Sequence, residues 1–341
     1  MLKKVISSHK FPYLLFHLPT VPYIAWLSLK ARSLFFYGAC NPIIHHNGGG
    51  SRASKTYMLR NVDRKWLPTT ILVEPDRPID QIETALAAKN LNYPLIAKPD
   101  SGERGKGVVK VHNRDELLAA VRGKVHNVLI QEYIDYPYEY GVLYWRKHGE
   151  RQGHITSISH KDLFHVVGDG TRSVWELASA QKDKKPFLDK AKELNKDRLD
   201  YVPVKGERVV VDFVGHRGRG TEVVDAGHLH SAEMLQVFDN ITRDINGFYY
   251  GRFDLKAISP DSLQTGEGLK ILELNGTASV PMHIWDPRLS TYHTYRELYR
   301  HWRTIYEISR DNHKRGIPYI SFSDAISYLR GWLKSDQQEH A

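Results

Sequence analysis

Two short stretches of this 341-residue chain concentrate groups that bind metal ions and phosphates. In Arg252-Phe253-Asp254-Leu255-Lys256 and Ile271-Leu272-Glu273-Leu274-Asn275, polar and apolar residues alternate. Side chains alternate faces along a strand, so Leu272 and Leu274 are expected inward, with Glu273 and Asn275 together on the opposite face. If the strands pair, Asp254, Glu273 and Asn275 become one set of oxygen ligands, and Arg252 stands beside them able to hold a phosphate. Hard oxygen donors of this kind suit Mg2+, which shares its coordination with water and phosphate oxygens. Either strand alone reads as well as an amphipathic strand with solvated charges. The pair is harder to dismiss.

Further upstream, Lys98 closes an apolar run that begins at Tyr93, and a glycine-rich loop follows. Ser101 opens it, and Gly102, Gly105 and Gly107 allow its backbone to approach phosphates closely. No Gly-Lys-Ser/Thr opens a helix there, so it is not a Walker A loop. A strand follows it, which excludes the dinucleotide-binding fingerprint. A plain glycine hairpin is the alternative. The third feature is Val128 to Ile134, an apolar strand running into a hinge with Glu139 beyond it. Hinge backbone groups can meet an adenine edge and the carboxylate can accept from ribose hydroxyls, or the segment is an ordinary core strand.

The order of these pieces resembles the ATP-grasp superfamily, in particular D-alanine–D-alanine ligase and related carboxylate–amine ligases. The likeness covers roughly residues 55–284. Gly168-Asp169-Gly170 and Gly220-Thr221…His230 give a looser likeness to cyanophycin synthetase. The resemblance implies ATP and Mg2+, with two ions expected. It makes Lys55 and Lys98 phosphate-binding lysines and Ser101 to Gly107 a mobile loop over the phosphates. Glu132, Tyr133 and Ile134 would form the adenine hinge, with backbone groups from Glu132 and Ile134, and Glu139 would hold the ribose. Lys161 would reach the terminal phosphate, and Asp254, Glu273 and Asn275 would bind the metal. Arg252 would steady an acyl phosphate, so Lys98, Lys161 and Arg252 form the implied catalytic set. The implied reaction joins a small-molecule, peptide or glycan carboxylate to an amine. An acceptor thiol, or a non-catalytic ATP-binding scaffold, is the other reading.

The elements expected to position these residues alternate. Helices are expected over residues 79–91, 113–121, 174–181, 231–245, 290–306 and 323–333. Strands are expected over 93–98, 108–111, 127–134, 139–145, 153–160, 208–214, 249–258 and 269–275. Asn113, with Glu116 three residues on, reads as a helix N-cap. Strand runs broken by helices argue for an α+β fold with largely antiparallel sheets. The resemblance sharpens this to two α+β subdomains gripping ATP. Residues 1–54 are then a reduced N-terminal segment, 55–135 and 136–300 the two subdomains, and 301–341 a helical extension. Before Lys55 only 54 residues are present, against a full α/β domain at that point in the D-alanine ligases, so the ATP machinery is the better-supported inference.

Composition narrows the classes. The chain is 41% hydrophobic and 26% charged, which suits a folded protein. Its formal charge of +9 favours an anionic partner, but no recognition helix or RNA-binding aromatic signature appears, so no nucleic acid is expected. One cysteine, Cys40, excludes an intrachain disulfide and fits a reducing cytoplasm. Phe11 to Leu29 is apolar between basic flanks, yet Pro12, Pro19 and Pro22 interrupt it. A proline-broken, loop-like segment packed on the body is expected, with peripheral membrane contact the second reading. A homodimer is left open. Arg172, Arg217 and Arg219 are candidates to grip a substrate carboxylate. His45-His46 and His228-x-His230 lack further ligands at metal spacing.

Overall fold

The computed structural model describes residues 13–44, 53–102 and 105–327. The loop from His45 to Ser51, Glu103 and Arg104 of the glycine-rich loop, and the expected helix beyond residue 327 lie outside the described residues.

The chain opens with helices α1 (Tyr13–His17) and α2 (Val21–Ala31). Then come α3 (Lys55–Leu59), β1 (Thr70–Val73), α4 (Ile79–Ala88), β2 (Leu95–Pro99), β3 (Val109–Val111), α5 (Arg114–Val121) and β4 (Val128–Glu132). Strands β5 (Tyr138–Trp145), β6 (His154–Asp162) and β7 (His165–Val167) precede α6 (Val174–Ala180) and α7 (Leu188–Leu194). The rest is β8 (Arg208–Val210), β9 (Glu222–Asp225), α8 (Ala232–Thr242), β10 (Tyr250–Ala257), α9 (Ser262–Thr265), β11 (Leu269–Asn275) and α10 (Thr291–Lys314). Local chemistry sets the helix starts. The Asn113 side chain accepts from the Glu116 amide, Ser173 and Glu176 close a capping box, and Ser231 and Ser290 cap α8 and α10.

The fold is α+β, and every strand pairing is antiparallel. A four-stranded sheet runs β1-β4-β2-β3 and a five-stranded sheet runs β11-β10-β5-β6-β9, while β7 and β8 form a separate ribbon. The first sheet packs on α4 and α5 through Ile82, Leu86, Leu95, Leu117 and Ile130. The second packs on α8 through Val142, Phe238, Ile241, Phe253 and Leu255. Its other face carries buried polar side chains, among them Glu139, Lys161 and Asp254. This is the architecture expected of an ATP-grasp fold.

Four expectations change. Over residues 13–40 the N-terminal segment is largely helical, not loop-like, because Pro19 and Pro22 sit in first helical turns, where proline removes no hydrogen bond. The strand expected over 208–214 ends at Val210 and pairs with β7. Strands β1, β7 and β9 were not anticipated. A register shift between Asp254 and Leu255 opposite β11 turns Leu272 out of phase. Ile271 and Leu274 therefore enter the core, and Leu272 does not.

Candidate functional site

A cavity of about 600 Å³ lies between the two sheets. From the first sheet it receives Lys98 and the hinge Gln131 to Ile134; from the second come Glu139, Lys161, Arg252, Asp254 and Lys256. Leu272 to Asn275 line one side, and Gly102, Gly105, Lys106 and the segment Phe213 to His216 line another. Lys55, at the start of α3, completes the cationic set. Ser101 and Gly107 do not line the cavity; Lys106 does.

On β10 and β11, Asp254 stands directly opposite Glu273, and Arg252 opposite Asn275. Arg252 donates from Nε to Asp254 Oδ1 at 2.8 Å and from Nη2 to Oδ2 at 3.0 Å. Asn275 Nδ2 donates to the same carboxylate at 3.2 Å. Lys161 Nζ lies 3.0 Å from Glu139 Oε1 and 3.5 Å from Asp254 Oδ2. Burial works against charge on Asp254, but Arg252 and Lys161 outweigh it and hold the carboxyl below its usual range. Burial likewise opposes the Lys161 ammonium, and Asp254 and Glu139 more than compensate, so its pKa is raised.

Lys98 is different. Its ammonium donates to Gln131 Oε1 at 2.9 Å and to the Leu272 carbonyl at 3.2 Å, two neutral acceptors. Burial brings its pKa down to about 8, against a partial opposing pull from Glu273. Gln131 in turn donates to Thr70 Oγ1, so the glutamine positions the lysine from behind. Lys55 donates to the carbonyls of Pro99 and Gly102 at 3.3 and 3.1 Å and approaches Glu273 at 3.9 Å. It thereby ties α3 to the root of the glycine-rich loop.

The hinge differs from expectation in detail. The Glu132 amide donates to Thr69 O at 2.9 Å, and its carboxylate accepts from the Thr69 amide. The Ile134 carbonyl accepts from buried Lys256 at 3.0 Å. The Glu132 amide and Ile134 carbonyl are thus committed within the protein, because the hinge is the end of a paired strand. Lys256 was missed although it continues the Arg252, Asp254 alternation, the same signal that picked out its neighbours. His216 and Val214 also reach the cavity from an irregular segment, and Met282 from the start of a short 3-10 helix, neither of which has a periodic sequence signal.

The other candidates fall elsewhere. Arg219 makes two bonds to buried Asp212, at 2.6 and 3.0 Å, and Arg172 pairs with Asp169 at 2.7 Å. Both pairings organise loops. Arg217 lies 3.9 Å above the Trp285 ring. Among the described residues, no group of three or more His, Cys, Asp or Glu side chains is arranged to hold a metal. Two carboxylates and one amide oxygen on a sheet face instead fit an ion that takes the rest of its shell from phosphates and water, as Mg2+ does.

Comparison with known proteins gives partial matches. No family model matches the chain. Formate-dependent phosphoribosylglycinamide formyltransferase of Prochlorococcus marinus is 28% identical over 194 residues, 51% of this chain and 48% of that protein. The Sulfurisphaera tokodaii protein of the same description is 26% identical over 159 residues, 43% of this chain and 35% of that protein. The chain thus spans about half or less of the curated relatives it matches. Among solved structures, D-alanine–D-alanine ligase from Bacillus anthracis superposes with a TM-score of 0.43 at 15% identity, covering 83% of this chain and 72% of that one. The bifunctional glutathione synthetase from Pasteurella multocida gives 0.38 at 20% identity, covering 73% and 36%. The resemblance read from the sequence stands: the chain is similar to ATP-grasp enzymes.

Proposed function

We propose that this chain binds Mg·ATP between its two sheets and ligates a carboxylate to an amine through an acyl phosphate. The observation that supports this most directly is the convergence, in one cavity, of Lys55, Lys98, Lys161 and Arg252 with Asp254, Glu273 and Asn275. Two anions must meet for a carboxylate to take a phosphoryl group, and cations fixed in a partly dry cleft offset that repulsion. Asp254, Glu273 and Asn275 would hold magnesium, whose charge neutralises the phosphates.

The chain's own groups divide the work. Lys98 and Lys55 hold phosphate oxygens, Lys98 from a buried position that excludes water. Tyr133 and the Ile134 amide face the nucleobase. Glu139 anchors Lys161, which reaches the terminal phosphate beside Arg252. A substrate carboxylate oxygen attacks the γ-phosphorus, the bond to the β–γ bridging oxygen breaks, and ADP leaves with that electron pair. The amine nitrogen then attacks the acyl carbon, phosphate leaves with the carbon–oxygen pair, and the amine proton passes to solvent. Arg252 supports the acyl phosphate between the two steps, and the glycine-rich loop shields it from hydrolysis. The carboxylate is proposed to be that of a free amino acid, a peptide terminus or a uronate. A reducing cytoplasm supplies ATP and suits the buried thiol of Cys40.

The test is release of ADP and phosphate from Mg·ATP against panels of carboxylates and amines, with Glu273→Gln as the control. Release that needs both substrates and falls at least about 100-fold in the variant supports the reading. ATP binding without turnover on any pair would replace it with the scaffold reading, and no ATP binding would overturn it.

A further inference from the structure

Helix α2 buries one side of its circumference and leaves the other apolar. Leu27 and Ser28 face the protein, whereas Val21, Pro22, Ala25, Trp26 and Leu29 are exposed. At the helical advance of each residue these five fall within one arc of about 140°. Leu29 is 77% exposed, and Leu18, just before the helix, is 59% exposed. A continuous apolar arc is unfavourable in water, unlike isolated exposed leucines.

The stretch of sequence that carries it is cationic. Residues 1–62 contain no Asp or Glu but carry Lys3, Lys4, Lys10, Lys30, Arg32, Arg52, Lys55 and Arg60. Of the chain's formal excess of +9, this stretch supplies eight charges and all the rest only one. Lys30 rests 3.8 Å above the Trp26 ring. Beside α2, an open hollow of about 530 Å³ is lined by Tyr23, Tyr292 and Tyr299 with Arg296, Arg300 and Arg303. Glu297, itself buried, is shared by Arg296 and Arg300, and Glu307 takes Arg303. With Lys30 and Arg32 the rim keeps an excess of cations.

We infer that this face docks on an anionic lipid bilayer. The apolar arc of α2 lies at the acyl boundary, and the Tyr–Arg hollow sits at the level of the headgroup phosphates. Eleven residues span only about 16 Å, short of a hydrocarbon core of about 30 Å, so α2 lies in the plane of the interface. Among the described residues no helix is long and apolar enough to cross a membrane. A second copy of the chain would cover the arc but set one arginine rim against another, which like-charge repulsion disfavours.

The test is co-sedimentation of the full chain with vesicles of phosphatidylcholine alone and of phosphatidylcholine mixed with phosphatidylglycerol. Binding to the mixed vesicles only is expected, weakening as salt rises. Leu29→Glu and the pair Arg300→Glu with Arg303→Glu should each lower partition about tenfold or more. Because these positions lie outside the inter-sheet cavity, the thermal shift given by Mg·ATP should be unchanged, which separates lost docking from lost folding. Equal partition to both vesicles, no partition, or indifference to both variants would overturn the inference. So would a dimer in light scattering that Leu29→Glu dissolves, since the arc would then belong to a second copy.

Discussion

An ammonium buried against neutral acceptors is costly, and at Lys98 that cost is tied to nucleotide binding. Its pKa of about 8 lies below the ordinary 10.5, so the unfolded chain holds this proton more tightly. The penalty therefore acts fully below pH 8 and fades as pH rises towards 10.5. Lys98→Met should accordingly raise the melting temperature of the nucleotide-free protein at pH 7, with a smaller gain near pH 10, while abolishing ATP binding. Thermal melts of both proteins at the two pH values check this; equal gains at both would sink it. In the intact protein a bound phosphate restores the charge, so the Kd for Mg·ATP should weaken above pH 8, at most about tenfold per pH unit. Calorimetry at pH 7, 8 and 9 reads that slope. Asp254 behaves in the opposite sense, since it pairs with Arg252 and shares Lys161 with Glu139. Asp254→Asn removes the carboxylate that holds Arg252, leaves Lys161 with Glu139 as its anion, and should destabilise by about 3 kcal/mol. Glu273→Gln, at a side chain 33% exposed, should leave the melt almost unchanged, which makes it the cleaner probe of chemistry.

The glycine-rich loop and β11 show what the elements add. Gly105 has φ of +70°, and a Cβ there would lie 2.4 Å from Val214 Cγ1. Gly105 thus rests on the segment after β8 at one wall of the cavity, and a side chain there would push the two apart. Gly105→Ala should raise the KM for ATP about tenfold, and adding Val214→Ala should recover part of that loss. The unrecovered part is the left-handed backbone, worth about 1 kcal/mol. Steady-state kinetics of the single and double variants separate the two, and no recovery would mean the contact is not limiting. The loop's glycines were legible in the sequence because three in seven residues is a strong local signal. Its resting place was not, since Val214 lies over a hundred positions away in an irregular stretch. Alternation likewise found Asp254, Glu273 and Asn275, then misplaced Leu272, because a bulge inserts one residue without changing composition. The Leu272 carbonyl that the bulge frees is an acceptor for Lys98. The departure from the pattern therefore serves the site.

At the scale of the whole molecule, two buried asparagines hold the N-terminal segment, one to the sheet that carries the site and the other to α10. Asn41 accepts from the amides of Tyr249 and Tyr250 and donates to the Tyr250 carbonyl. Asn312, near the end of α10, donates to the carbonyls of Ala39 and Cys40. Around them Leu27, Phe36, Tyr250, Ile305 and Ile308 form a shared core. Composition could not reveal this, because each asparagine is a lone polar residue whose partners are backbone groups hundreds of positions away. Proline spacing pointed the other way, towards a loop. The consequence is that α1, α2 and α10 form one block behind β10, the strand of Arg252 and Asp254, and movement of that block should be felt in the cavity. Asn41→Ala takes this partner from the half-buried Tyr249 amide and from the buried Tyr250 amide and carbonyl, the buried groups at about 1–3 kcal/mol each. It should lower the melting temperature sharply. Because β10 is the strand released, Mg·ATP should rescue the melt of Asn41→Ala by less than it rescues the unaltered chain. Asn312→Ala, which loosens only α10 from the segment and leaves the Tyr249–Tyr250 amides capped, should lose stability but keep the full nucleotide rescue. Thermal shift of both variants across ATP concentrations decides the matter. Equal rescue in the two would mean that the N-terminal block holds the fold together without bearing on the geometry of the site.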